Sequence, residues 1–456
     1  MDEYDQHLLS VVHREDVEAI RTCLSSVEDP NVYLNRVYDQ PNEQSCTLLM
    51  IACLNEYEDI VYMLLDCFQP DLELLNVIRI HNKDRKLELY QDVTVLWAAA
   101  AINHFLIVKR LVEHSARINH TTNTNSTPVR CACYSGNIEM VRYLVEHGAN
   151  INITKNNHET NLSLSVFCKH LQVSAYLVDE LGCDVNECDD DGRSALYFAV
   201  KCGSLEMVQF LLNRGARNFP PTCDRMTPLM LAADRRRCNL VEEISLHCSL
   251  LEWIEAEELL GSAFACAEHG LCDLQQLFEH FSRALKLRVI HRLPKDRRKS
   301  ADDIFENRQE CQTIEELEAL RVNSHQMHLE ALLVRERLLG PSSDEYRYSV
   351  VYRGAILADS GQYDQAIALW MYEFALGRQY AIPIIPEDMR QFVALFSDMV
   401  HHSFPIPIDS LLTIVRTTVG EVIHRMDKIN YNLHTLLFLI TIVSQVNRNR
   451  RDELFF

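Results

Sequence analysis

No pair among the 16 cysteines of this 456-residue chain has the C-x-x-C spacing of a zinc ribbon or a redox motif. The closest two are Cys131 and Cys133. Cys53, Cys133 and Cys168 lie inside apolar runs, where cysteine acts as a small hydrophobe, and this usage points to a reducing compartment. The N-terminus, MDEYDQHLL, is acidic and has no apolar signal core. The most apolar stretch near the end, Leu436–Val443, is far short of a bilayer span. Positive charge is also scarce. Lys and Arg number 44 against 65 Asp and Glu, a formal charge of -21, which repels phosphate backbones and speaks against nucleic acid as a partner. Peptides bearing Arg or Lys suit that sign better. No P-loop, G-x-S-x-G or H-E-x-x-H occurs, and nothing groups a nucleophile with a base. These absences describe a non-enzymatic binding protein of the cytosol or nucleus, with no cofactor, metal or membrane anchor. The sequons at Asn119, Asn125, Asn152 and Asn161 then read as chance matches.

What is present is a repeat. With 47% hydrophobic residues the chain is rich enough to fold, and it is too long for one ordinary core. Thr94-Val-Leu-Trp, Thr127-Pro-Val-Arg, Thr160-Asn-Leu-Ser, Ser194-Ala-Leu-Tyr and Thr227-Pro-Leu-Met begin at separations of 33, 33, 34 and 33 residues. An earlier unit starts at Thr47-Leu-Leu-Met, and His7–Ser25 reads as a degenerate first unit or a cap. This period, with T-P-L at its head, is that of ankyrin repeats. The chemistry agrees. Thr127 suits a helix N-cap, Pro128 the first helical position, and Gly136 and Gly203 the end of the first helix. Met140, Val141, Leu144 and Val145 form one face of a second helix, which Gly148 closes, as Gly215 does later. Leu49, Leu96, Leu162, Leu196 and Leu229 are expected in the core. Stacked units of this kind present hairpin tips and first helices as a concave binding surface.

The fold class expected is all-α: an ankyrin-repeat solenoid followed by a tetratricopeptide-like helical region. The array covers 1–245, with an insertion at 69–93 that is either a functional loop or a solvated hairpin of mixed charge. A helix pair (Ala256–Glu268 and Asp273–Arg288) occupies 246–290. A basic linker, HRLPKDRRKS at its start, covers 291–312 and reads as a surface loop. Tetratricopeptide-like helices fill 313–380, with Gly354, Ala355, Ala358 and Gly361 where helices must pack closely. Further helices fill 381–456, with Asn432–Val446 as the last.

Two clusters have a chemical reading. His325 and His328 share a helix face at i, i+3, as metal ligands can, but no third ligand stands near in sequence and exposed histidines are the expectation. Asp189-Asp-Asp-Gly looks like a calcium loop, yet it falls at a hairpin position, where a tight turn explains it.

Several segments together resemble the feminization-one family of ankyrin-repeat substrate receptors of cullin-two ubiquitin ligases. They are Leu96-Trp-Ala-Ala, Asn119–Ala149, Ala256–Phe264, the EELEAL from Glu315 and, most specifically, Glu330–Trp370. The resemblance implies that the concave face of the second to fourth repeats binds the C-terminal tail of a protein substrate, often one ending in Arg. Trp97, Ser126 and Tyr134 match the family there. Its Cys-Phe/Tyr-Asp-Gly motif reads Cys133-Tyr134-Ser135-Gly136 here, so a carboxylate is replaced by Ser135. Before Leu96-Trp-Ala-Ala, where the family has a second acid, this chain has Arg85-Lys86, with Asp84 close by. The resemblance further implies elongin B, elongin C and cullin-two as partners, recruited through a BC-box helix that in the family follows further C-terminal ankyrin units. This sequence ends at Phe456 before either, as a naturally short chain or as a fragment. Ser410–Val419 has box-like spacing, which any core helix can have. Trp97, Ser126, Tyr134, Ser135 and Asp84 are therefore the expected tail-binding residues. The alternative is a scaffold that binds a partner without recruiting a ligase.

Overall fold

Each expected repeat start is a helix N-cap. The side-chain oxygens of Thr47, Thr94, Thr127, Thr160, Ser194 and Thr227 accept from the backbone N–H three residues on, at 3.0 to 3.5 Å. Two residues after each cap, Leu49, Leu96, Val129, Leu162, Leu196 and Leu229 are at most 2% exposed. Hydroxyl and leucine thus fix where every first helix begins and which face it buries. The computed structural model describes residues 3–40, 44–81, 87–218, 226–266, 272–295, 303–380, 382, 386–402, 404–424 and 438–442. It divides into two compact units, residues 1–223 with 242–247, and residues 224–241 with 248–456.

The first unit opens with α1 (Glu3–Val12), α2 (Val17–Ser25) and the short α3 (Asn31–Leu34), followed by strands β1 (Tyr38–Gln40) and β2 (Gln44–Cys46). Four repeat pairs then carry α4 (Leu48–Leu54) and α5 (Glu58–Phe68), α6 (Val95–Ala101) and α7 (Phe105–Glu113), α8 (Pro128–Ser135) and α9 (Ile138–Glu146), and α10 (Asn161–Phe167) and α11 (Leu171–Ala175). A π-type turn (Tyr176–Glu180) extends α11, and α12 (Ala195–Cys202) and α13 (Leu205–Leu212) make a further pair. Successive repeats are stapled at recurring positions. Asn119 donates to the Gly148 carbonyl at 2.9 Å and accepts from Asn150 N at 2.7 Å; Asn186 does the same to Gly215 and Arg217, at 3.1 and 3.0 Å. Arginines on or just after second helices also reach the neighbouring repeat, as in Arg142 to Glu180 and Arg214 to Asp179. Burial pushes the thiols of Cys131 and Cys133 up to about 12, so these cysteines behave as apolar packing groups. Val145 is only half-buried.

The insertion is a β-hairpin. β3 (Asn76–His81) and β4 (Leu87–Val93) pair antiparallel, with Ile78 opposite Tyr90, and complete a sheet of order β1-β2-β3-β4. Asn76, 1% exposed, ties it to the array. Its side-chain oxygen accepts from Thr47 N at 2.8 Å, and its amide donates to the carbonyls of Leu74 and Val93 at 2.7 and 3.2 Å.

The chain continues through α14 (Pro228–Asp234) and α15 (Cys238–Ser245) to α16 (Leu250–Ala265) and α17 (Leu274–His291), which pack together in the second unit. After a 3-10 turn (Asp303–Phe305) come α18 (Ile314–Leu320), α19 (Ser324–Leu339), α20 (Asp344–Asp359), α21 (Tyr363–Gln379), α22 (Pro386–His401) and α23 (Ile408–His424). Of the expected last helix, residues 438–442 are described and helical; the rest lies outside the described residues. Gly354 on α20 has a clear packing role, because a Cβ there would stand 2.3 Å from the Trp370 Nε1 of α21. That indole donates to the Val351 carbonyl at 2.9 Å.

The start of the basic linker is not a solvated loop. Lys295, 7% exposed, lies 3.7 Å from Glu258 and 3.3 Å from Glu310. Glu258 also takes Arg288 Nε and Arg337 Nη2, each at 2.7 Å. Burial alone raises the Glu258 pKa, but Lys295, Arg337 and Arg288 outweigh it and hold the carboxyl down at about 2. Its remaining basic run, 296–300, lies outside the described residues.

Gly354→Ala should destabilise the chain by about 1–3 kcal/mol through overpacking against Trp370, read as a lower urea midpoint. The stabilisation held by ionised Glu258 should be complete above pH 4.5, its ordinary value, and fade as pH falls towards about 2. Glu258→Gln should flatten that acid dependence and cost about 3–5 kcal/mol at neutral pH, checked by urea unfolding between pH 7 and 3.

Candidate functional site

The residues singled out on the repeats sit at two levels of the first-helix layer. Trp97 is the third residue of α6, and α8 packs beside α6. The Trp97 ring is 3% exposed, and its Nε1 donates to Ser126 Oγ at 3.2 Å across the repeat boundary. Ser126 is itself held in the tip, with its N–H given to Thr122 Oγ1 at 3.3 Å. Tyr90 of β4 lies against Trp97, ring centroids 5.0 Å apart and tilted by 44°. The inserted hairpin thus packs against the first of the candidate residues.

Tyr134 and Ser135, both half-buried, are the last residues of α8. Seven residues of helix separate Thr127 from Tyr134, roughly 10 Å along the axis at about 1.5 Å per residue. The turn that follows is shaped by the next repeat. Gly136 has φ +78°, and a Cβ there would stand 2.4 Å from the His170 ring. His170 Nε2 pairs with the Tyr134 carbonyl at 3.0 Å. The Ser135 hydroxyl, which is uncharged, donates back to the Ala132 carbonyl at 3.1 Å. Asp84, Arg85 and Lys86 lie outside the described residues. Four of the five expected residues therefore have a described place, and Trp97 and Ser126 are in direct contact.

Motif reading passes over Arg130. It stands at the position of Trp97 one repeat on and is 5% exposed. Its Nη1 donates to the Glu159 carbonyl at 2.9 Å, and its Nη2 lies 3.1 Å from Glu159 Oε2. The signal was an arginine where the other repeat heads carry Trp, Ser, Tyr or Met.

The histidine pair differs from expectation. His328 is 6% exposed, because α19 turns it inward; its Nδ1 pairs with the Ser324 carbonyl at 2.6 Å and its Nε2 with Cys272 Sγ at 3.4 Å. Burial drives its pKa down to about 4. Among the described residues no group of three or more His, Cys, Asp or Glu side chains could hold a metal. Asp189 makes a tight turn, with Oδ1 accepting from Asp191 N and Arg193 N at 3.1 and 2.8 Å. Among the described residues no helix is long and apolar enough to cross a membrane.

Known proteins agree with this architecture. Ankyrin repeats match in three overlapping copies, at 67–155, 95–189 and 162–249. The chain is 34% identical over 391 residues to "Protein fem-1 homolog CG6966" of Drosophila melanogaster, covering 82% of this chain and 57% of that protein. It is 32% identical over 391 residues to "Protein fem-1 homolog A" of Rattus norvegicus, covering 76% and 58%. With "Protein fem-1 homolog C" of Danio rerio it shares 33% identity over 182 residues, 38% of this chain and 29% of that protein. The chain thus spans somewhat more than half the length of the first two. The ankyrin repeats and these relatives define an ankyrin-repeat protein-interaction adaptor. Within that class, the chain belongs to the feminization-one family.

Ser126→Ala should leave the buried Trp97 indole N–H unpaired and destabilise the first unit by about 1–3 kcal/mol. The loss is measurable by urea unfolding followed through tryptophan fluorescence.

Proposed function

We propose that the chain is the substrate-recognition subunit of a cullin-RING E3 ubiquitin ligase, binding target proteins on the concave ankyrin face. The observation that carries this reading is membership of the feminization-one family, together with the placement of Trp97, Ser126, Tyr134 and Ser135 on the first-helix layer. The strip of roughly 10 Å from the hairpin tip to the end of α8 suits about three residues of an extended tail, at about 3.3 Å per residue. Trp97 and Tyr90 form an apolar end and Ser135 a neutral polar one. With Ser135 in place of a carboxylate, an Arg-ended tail loses its charge-assisted partner, so the preferred substrate tail differs from that of the family. Asp84 is the carboxylate left to this site by the sequence. Elongin B, elongin C and cullin-two are the proposed partners, engaged by the natural full-length protein.

Co-precipitation from cells with the longest natural form should recover the elongins and cullin-two. Failure to recover them, with a bound protein that is still not turned over, would instead establish a scaffold. A specific observation lends that second reading weight: Leu411 and Ile414, within the box-like segment, are 3% and 0% exposed in the core with Phe396 and Met399. At the tail site, Ser135→Asp should raise affinity for an Arg-ended peptide at least ~10-fold over the natural protein. Fluorescence polarisation with a panel of tail peptides measures this, and an unchanged affinity would remove Ser135 from the site.

A further inference from the structure

A cavity of about 390 Å³ opens in the second unit. It is lined by Asp234, Arg235 and Arg236 after α14, by Ala263 and Cys266 near the end of α16, by Arg335 of α19, and by the first turns of α20. Its carboxylates are engaged. Asp234 Oδ1 accepts from Arg335 Nη2 at 2.5 Å, Glu345 Oε2 accepts from Ser343 Oγ at 2.9 Å, and Asp344 lies 3.6 Å from Arg347.

Its guanidiniums are not all matched. Arg335 is 3% exposed, and its Nε has no hydrogen-bond partner. Arg235 and Arg236 are exposed, and neither makes an ion pair with a described residue; Arg236 lies over the Phe264 ring, 5.9 Å from its centroid. One helical turn beyond the lining residue Ser349, on the same face of α20, is Arg353. It is 7% exposed, its Nη2 donates to His325 Nδ1 at 3.2 Å, and its Nε is also unpartnered. No described carboxylate pairs with it, and burial pushes its pKa down. A buried charge without a counterion is costly, and two buried Nε donors left unmatched near one cavity mark a place where an anion would be stabilised.

We propose that this cavity binds a phosphate-type dianion, either free or carried on a phosphoserine or phosphothreonine of a protein partner. Arg235 and Arg236 after α14 and Arg335 of α19 line the cavity, with Arg353 one turn beyond the lining residue Ser349, and a tetrahedral phosphate offers three acceptor oxygens and up to two charges, whereas a carboxylate offers two oxygens and one charge. The chain's overall acidity repels a polyanion but not a single phosphate whose field is local. Debye screening of about 8 Å at physiological salt confines that field to the cavity. The site is independent of the tail-binding reading and stands if that reading fails.

The test is calorimetric titration of the full chain at fixed ionic strength. The probes are inorganic phosphate against chloride, then a phosphoserine peptide against its unphosphorylated and Ser→Asp forms. Saturable binding of phosphate or phosphopeptide at one site per chain is expected, weakened at least ~10-fold in Arg235→Ala/Arg236→Ala. Those two residues are exposed and unpaired, so the variant should fold. Thermal melting of the variant checks this, and Arg335→Lys gives a second reading at the buried donor. A phosphopeptide that binds more tightly than inorganic phosphate assigns a protein-borne group; equal binding assigns the free ion. Phosphate binding no stronger than that of chloride, or undiminished in the double variant, would overturn the proposal.

Discussion

Every first helix of the ankyrin array depends on one arrangement, a hydroxyl that caps the helix and a leucine or valine two residues later that faces the core. The cap satisfies a backbone donor that would otherwise be unpaired, and the apolar residue sets the rotation of the helix against its neighbour. From Thr94 onwards the pair recurs at 33 or 34 residues, so each unit is built on the same local plan. The asparagine staples between Asn119 and Gly148, and between Asn186 and Gly215, then need only join loops that are already aligned. Trp97 can occupy the third position of α6 and reach Ser126 because the stack places that tip beside it.

Local signals were legible in the sequence, and distant partnerships were not. Caps, helix-ending glycines and the period are written within a few residues, so the repeat and most helix bounds could be read directly. The insertion could not be assigned, because its strands take their meaning from pairing with β2 some thirty residues earlier and from Asn76 beneath the Thr47 cap. Lys295 read as part of a solvated basic run, since its acidic partner Glu258 lies 37 positions upstream. His328 read as exposed because its neighbours are polar; its burial depends on the way α19 packs, with Cys272 from the segment before α17 at its Nε2. Trp97, Ser126, Tyr134 and Ser135 were singled out by their match to a motif. Arg130 was passed over because an arginine in a repeat head breaks the apolar pattern without belonging to any motif.

Two sets of buried charges in the second unit behave in opposite senses. In the second unit, Glu258 gathers Arg288, Lys295 and Arg337 into a closed buried network, where each cation has a carboxylate. Two residues before Arg337 on α19, and on the neighbouring α20, Arg335 and Arg353 keep Nε donors that nothing satisfies. The contrast matters because both sets are equally buried. A fold that can close one network so fully does not leave donors open merely through crowding by charge.

The turn after α8 has a consequence for how such a protein can change over generations. Its shape is held by Gly136 and by His170 from the following repeat, and the Ser135 hydroxyl bonds only within its own helix. The residue proposed to face a ligand and the residues that maintain the backbone are therefore different ones. Specificity can drift at position 135 without threatening the solenoid, and a duplicated copy of such a gene could acquire a new clientele through a single codon.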